Sequence, residues 1–216
     1  MKICIFDICG TLYNSNTTFD YLNYLLRNNI RYQLFEKIRK LFIAKAINKL
    51  LLLCFNYDLI RVIALSFIKG YNKSLLMDVA GDFYDSVLIK KSNQRVQDLL
   101  KLRIDDEGYT VVIASATIDV VAKTIGNKLG CSNIISSELQ YNNDKCTGYL
   151  KKDLLGKKQL FLSFETEDAE IFTDDFSDVK LISKCNYKNI ITYNKTKKKW
   201  YKLTKKKKWD ANFIEY

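Results

Sequence analysis

Residues 2–8 open the chain with a short β-rich run, Lys-Ile-Cys-Ile-Phe-Asp-Ile, that ends near a carboxylate and passes into Gly10-Thr11. An apolar run without strict alternation is the signature of a strand buried on both faces of a parallel sheet. Thr17 and Thr18 are candidate caps for a following helix. From residue 19 to about residue 91 the period changes. Leu, Ile, Phe and Tyr recur at helical spacing, and only Gly70 and Gly81 punctuate them, which predicts three or four helices. The remainder alternates: helix 92–103, strand 109–114, helix 119–129 closed by Gly130, strand 133–139, a helix opening over 156–162, strand 169–173, short helix 178–183 and strand 189–193. Strand–helix alternation gives a parallel sheet with helices on both faces. The expected architecture is α/β, with residues 1–16 and 92–216 forming the core and 17–91 an all-helical insert after the first strand.

Two stretches stand out from this pattern. Residues 41–67 are the most apolar in the chain, but Lys45, Lys49, Asp58 and Arg61 interrupt them, short of the roughly 20 apolar residues a membrane span requires. They read as buried helices of the insert or as an interfacial surface for a membrane or a lipid. Residues 195–209 interleave lysines with Trp200, Tyr201 and Trp209. They read as a docked structural tail with a solvated lysine face, ending in an edge strand over 212–216. The competing readings are weak contact with an anionic membrane or a polyanion; nothing specifies a nucleic-acid partner.

Composition narrows the chemistry. The 216 residues carry a formal net charge of +11, no histidine and no proline. The lack of histidine excludes a Ser-His-Asp triad and imidazole-ligated metal. Acid–base or covalent work therefore falls to carboxylates, lysines, cysteines or hydroxyls. The six cysteines, Cys4, Cys9, Cys54, Cys131, Cys146 and Cys185, include no C-x-x-C pair, which suits neither a zinc site nor a secreted disulfide scaffold and points to a reducing cytoplasm.

Four short motifs fall where an open α/β sheet holds ligands, at carboxyl ends of strands or at a helix start. They are Phe6-Asp7-Ile8-Cys9-Gly10-Thr11-Leu12, Val112-Ile113-Ala114-Ser115-Ala116-Thr117, Gly156-Lys157-Lys158, and Phe172-Thr173-Asp174-Asp175-Phe176-Ser177-Asp178. A loop carboxylate can attack phosphorus once its repulsion with phosphate is offset. Mg²⁺ offsets it with one or two carboxylates, a carbonyl and waters as ligands. Hydroxyls and amides hold phosphate oxygens, and a lysine adds fixed positive charge.

This ordered set resembles the haloacid dehalogenase (HAD) superfamily, in particular its phosphoserine-phosphatase-like branch, over nearly the whole chain. The resemblance implies a Rossmann-like core with a helical cap and a Mg²⁺-dependent phosphatase acting on a small phosphorylated molecule. Asp7 would be the nucleophile, forming an aspartyl-phosphate. Asp7, the carbonyl of Cys9 and Asp174 would hold Mg²⁺, with Asp178 orienting a metal-bound water or the lysine. Thr11, Ser115 and the amide of Ala116 would hold phosphoryl oxygens. The lysine is Lys157 or Lys158. Lys158 is the slightly better candidate, since Phe161 and Leu162 then fall three and four residues on and offer an anchoring face.

The chain departs from the family pattern at Cys9, where relatives carry a second aspartate that protonates the leaving group. A thiol is a weaker acid and a poorer donor, and general acid–base catalysis contributes typically about 10²–10⁴-fold. Three outcomes follow: slow hydrolysis favouring good leaving groups, a substitute acid such as Asp119, or transfer of the phosphoryl group to an acceptor other than water. The alternatives to a phosphatase of this kind are an impaired protein that only binds a phosphorylated ligand and a lipid-phosphate phosphatase at a membrane surface.

Overall fold

The computed structural model describes residues 2–55, 57–162 and 169–216. Its strands are β1 (Lys2–Phe6), β2 (Tyr109–Ile118), β3 (Ile134–Asn142), β4 (Lys145–Lys152), β5 (Ala169–Thr173), β6 (Tyr187–Thr192) and β7 (Asn212–Glu215). They form one sheet in the order β4-β3-β2-β1-β5-β6-β7. All neighbours are parallel except the β3–β4 pair. The chain leaves β1 toward β2 on one side and later returns to β5 on the other. The strand order therefore reverses at β1, and the crevice beyond its carboxyl end is where such sheets bind ligands.

β1 supplies both faces. Cys4 and Phe6 join one apolar cluster while Ile5 joins a second with Ile171, Ile190 and Trp200. Phe6 stacks on Phe172 of β5 with ring centroids 4.3 Å apart. Every residue of β5 is buried, as expected for a central parallel strand.

Between β1 and β2 lie α1 (Thr17–Leu25), α2 (Ile30–Arg39), α3 (Phe42–Phe55), α4 (Leu59–Ser66) and α5 (Lys73–Ser86). Among the described residues there are five helices, not three or four. The turns between them are made without proline and, but for Gly70, without glycine. Instead Asn16, Asn29 and Asp58 cap α1, α2 and α4 by accepting the Phe19, Tyr32 and Arg61 amides. Tyr21, Leu22, Ala64, Leu76 and Phe83 belong to the same cluster as Phe6, Ile113 and Val120, so the insert shares its packing with one face of the sheet. α6 (Gln94–Ile104) and α7 (Asp119–Leu129) flank β2, and Gly130 ends α7 at φ 72°, the left-handed cap conformation.

Three further sequence expectations need correction. β2 continues to Ile118 rather than ending at residue 114. No strand is expected over 145–152, where β4 forms a hairpin with β3. Asn143 and Asp144 both take positive φ, 48° and 62°, as a two-residue hairpin turn requires. The helix expected over 156–162 is only a 3-10 turn at Lys158–Leu160. Of its intended anchors Leu162 packs against the second cluster, but Phe161 is 38% exposed and Leu160 beside it 71%, so no continuous apolar face sustains a helix there.

The tail docks. α8 (Val179–Ile182) leads to β6, and α9 (Lys197–Lys207) packs beside it, with Trp200 fully buried and β7 closing the sheet as its edge. The α9 lysines Lys205, Lys206 and Lys207 are exposed.

Candidate active site

Asp7 follows β1 directly, and its amide donates to Phe172 O at 3.0 Å, which fixes it between the first and fifth strands. Its Oδ1 accepts from the Ile8 amide at 2.8 Å and faces Lys158 Nζ at 3.0 Å. The Ser115 hydroxyl lines the same cavity as Asp7 and lies 3.1 Å from the Thr117 hydroxyl. Lys158 Nζ reaches on to Asp178 Oδ2 at 2.8 Å, and the Thr173 hydroxyl donates to the same oxygen at 2.8 Å. Asp7, Ser115, Lys158 and Asp178 are all buried. Of the two candidate lysines, only Lys158 is brought to Asp7; Lys157 is exposed. Asp178 Oδ1 is buried without a hydrogen-bond partner.

The acidic loop comes close to the first. Gly10 sits at φ 66°, and a Cβ built on it would lie 2.1 Å from Asp174 Oδ2. Only glycine permits both the backbone turn and this approach. Thr11 is expected to hold phosphoryl oxygens, but its hydroxyl instead accepts from the Asp174 amide at 3.1 Å and faces Asp174 Oδ1 at 3.4 Å. It is fully buried and lines no part of the central cavity, so it positions the acidic loop.

Four carboxylates, Asp7, Asp174, Asp175 and Asp178, share the single ammonium of Lys158. Burial, then the charges of Asp7 and Asp175, push Asp174 up to about 8. Burial raises Asp178 to about 6 against the opposing pull of Lys158, and burial raises Asp7 against the same pull. For Lys158 burial acts downward, but Asp178, Asp7 and Asp175 outweigh it and keep the ammonium charged. This cluster of two buried and two half-buried acids, with an orphaned Asp178 oxygen in it, fits a divalent cation. Among the described residues no three His, Cys, Asp or Glu side chains form a cage of their own.

Cys9 lies at the centre of a hydroxyl cluster. Its thiol is 3.1 Å from Thr17 Oγ1 and 3.4 Å from Thr117 Oγ1, and the two threonine hydroxyls are 2.6 Å apart. Burial and then the charge of Asp7 raise the thiol above its usual range, so it is neutral. Asp119 does not replace it. Asp119 accepts the Leu139 amide at 3.1 Å and lines no part of the cavity.

A cavity of about 130 Å³ opens over Asp7, bounded by Cys9, Ser115, Ala116, Thr117, Lys158 and Asp175. Thr18, Phe19, Asp58 and Arg61 of the insert close it, with Asn16 at the entry to α1. Arg61 is 5% exposed, pairs with Asp153 Oδ1 at 2.6 Å and donates to the Ala116 carbonyl. Sequence reasoning misses Arg61 as a site residue and treats it as an interruption. The available signal is a lone arginine inside Leu59-Ile60-Arg61-Val62-Ile63-Ala64-Leu65, where an unpaired charge is hard to bury. Asp175, a second missed residue, sits beside Asp174 and accepts the Ser177 amide at 2.8 Å.

A haloacid dehalogenase-like hydrolase family model matches residues 4–162. The chain belongs to that family. No curated protein matches in sequence. Among solved structures, a Bordetella pertussis Tohama I protein of unknown function superposes with a TM-score of 0.72 at 14% identity, each chain covered to 97%. Phosphoserine phosphatase in its apo form gives 0.61 at 17% identity, covering 98% of this chain and 92% of that one. Cytosolic 5'-nucleotidase IIIB bound to cytidine gives 0.63 at 10% identity, covering 99% and 80%. At these identities the likeness speaks for the HAD fold alone.

Proposed function

We propose that the protein is a phosphomonoester hydrolase in which Asp7 is the nucleophile and residues 17–91 are the cap. The carrying observation is the buried Lys158 ammonium, held between Asp7 and Asp178 beside the Ser115 hydroxyl. A carboxylate pinned this way presents its second oxygen to a phosphorus atom in the cavity. Asp7 forms the new P–O bond as the bond to the leaving alcohol breaks. Lys158, Ser115 and the Ala116 amide face the charge that builds on the phosphoryl oxygens. Water then attacks phosphorus and frees Asp7. Asp7, Asp174 and the Cys9 carbonyl would hold Mg²⁺, which when bound supplies the charge neutralisation that lets an anionic nucleophile approach phosphate.

The leaving oxygen needs a proton, and the Cys9 thiol is a poor source. Turnover is therefore fastest on aryl phosphates, whose leaving groups depart without one, and slow on alkyl phosphates. That same thiol favours the second reading, a protein that binds a phosphorylated ligand without turning it over. p-Nitrophenyl phosphate hydrolysis with Mg²⁺, run beside Asp7→Asn, decides between them. Activity that the variant abolishes supports the hydrolase; equal inactivity of both on aryl and metabolite phosphates rejects it.

A further inference from the structure

We infer that the outward face of α3 docks on an anionic lipid bilayer. α3 is 14 residues long and buries none of them fully. Asn48 fixes its orientation: its amide donates to Asp58 Oδ1 at 3.0 Å, and its carbonyl accepts from the Ile60 amide at 2.9 Å. With 3.6 residues per turn, Phe42, Ile43, Ala46, Ile47, Leu50, Leu53 and Cys54 then occupy a continuous outward arc of about 140° with no polar residue in it. The large members are strongly exposed: Phe42 85%, Leu53 74%, Ile43 71% and Leu50 61%. Lys45 and Lys49, both exposed, border this arc on one side. An exposed apolar patch of this extent marks an interaction surface.

Charge selects the occupant. Residues 30–55 contain Arg31, Lys37, Arg39, Lys40, Lys45 and Lys49 against the single acid Glu36, which is buried and paired with Arg39 and Lys40. A second copy would set two such cationic faces against each other. An anionic bilayer receives the apolar arc at its acyl boundary and the lysines at its headgroups. α3 is only about 21 Å long against a hydrocarbon core of about 30 Å, so it lies in the interface rather than across it. Among the described residues no helix is long and apolar enough to cross a membrane. The exit of α3 borders a cavity of about 320 Å³, lined by Tyr57, Asp58 and Arg61, which shares Asp58 and Arg61 with the cavity over Asp7.

The test is co-sedimentation of the full chain with phosphatidylcholine vesicles, with and without phosphatidylglycerol. Binding is expected to the anionic vesicles at low salt and to weaken as salt rises. Leu50→Glu/Leu53→Glu should abolish it, and Lys45→Glu/Lys49→Glu should weaken it by on the order of tenfold or more. Lys205→Glu/Lys206→Glu, on α9, should leave most of it. All three variants change exposed positions and should keep the far-UV spectrum and melting temperature, and none bears on the catalytic reading. The inference is overturned by absence of binding at low salt, by binding that the α9 variant removes and the α3 variants spare, or by a dimer in solution that Leu50→Glu/Leu53→Glu dissociates.

Discussion

Lys158→Met is the perturbation that most directly probes the centre of the site. Among the described residues Lys158 Nζ is the one cation paired with Asp7 and Asp178, at 3.0 and 2.8 Å, with Asp174 and Asp175 close by. Methionine preserves the apolar stem and removes the charge. Breaking a buried ion pair by deleting one partner costs about 3–5 kcal/mol, because the remaining charges are stranded. For a chain of this size each kcal/mol moves the melting temperature by roughly 2–4 °C, so a fall of about 6–20 °C is expected near pH 8.

The cost must also depend on pH. Asp174 and Asp178 have folded-state pKa values raised to about 8 and about 6, so the folded state holds protons on them that the unfolded state has already lost. Below pH 5 these carboxyls are neutral, and losing the ammonium leaves little uncompensated charge. The deficit of Lys158→Met should therefore grow as pH rises from 5 to 8. Lys157→Met, at an exposed position, should stay within about 0.5 kcal/mol of the parent throughout. Differential scanning fluorimetry of the three proteins at several pH values measures this. Equal small shifts for both variants, or a Lys158→Met deficit that is flat with pH, would refute the charge picture.

Three further outcomes follow from the same geometry. Cys9→Asp should raise turnover of alkyl phosphates by on the order of tenfold or more while changing aryl phosphate turnover little, measured as the ratio of the two rates. Between pH 4 and 8 the metal-free protein should lose stability as pH rises, since the carboxylates with raised pKa values release protons only reluctantly in the fold. Mg²⁺ should restore more stability at pH 8 than at pH 6, because Asp174 must be deprotonated to ligate, and melting curves with EDTA or Mg²⁺ check both signs. Trp200→Ala should cost about 3–5 kcal/mol, because Trp200 is fully buried, stacks on Phe176 at 4.1 Å and donates to the Asp174 carbonyl at 3.2 Å; Trp200→Phe, which keeps most of the packing, should cost less in denaturant titration.

What was legible in the chain was the part carried by short-range pattern. β1, β5 and β6 are apolar runs bounded by turn residues, and their carboxyl ends named Asp7 and Asp174 without any knowledge of tertiary structure. The alternation of strands and helices implied a parallel sheet, while the order of its strands, reversing at β1, came only with the structure. Features set by long-range pairing were not legible. β4 is amphipathic and lysine-rich, and only its pairing with β3 makes it a strand. Thr11 carries a hydroxyl as well suited to phosphate as to a backbone amide, and the approach of residue 174, 163 positions later, decides the matter. Arg61 enters the cavity because Asn48 and Asp58 hold α4 in place, a tertiary fact no local window contains.

The family match ends at residue 162, yet three of the four acids in the cluster lie beyond it. Asp174 and Asp178 reach Asp7 because β5 pairs with β1 in parallel register, Phe172 opposite Phe6, so that the two strands end at the same level. The loops they release are then held from outside. Tyr193 donates its hydroxyl to Gly10 O at 2.7 Å, and Trp200 donates to Asp174 O. One anchor grips the nucleophile loop and the other the acidic loop, and both come from the last 24 residues of the chain. A site with this much unbalanced charge favours separation of its two loops unless something opposes it. β6, α9 and β7 supply that opposition through two hydrogen bonds and a buried indole. The basic, aromatic tail is thereby part of the site's construction, and its exposed lysines are the solvated side of an element whose buried side holds Asp174 against Gly10.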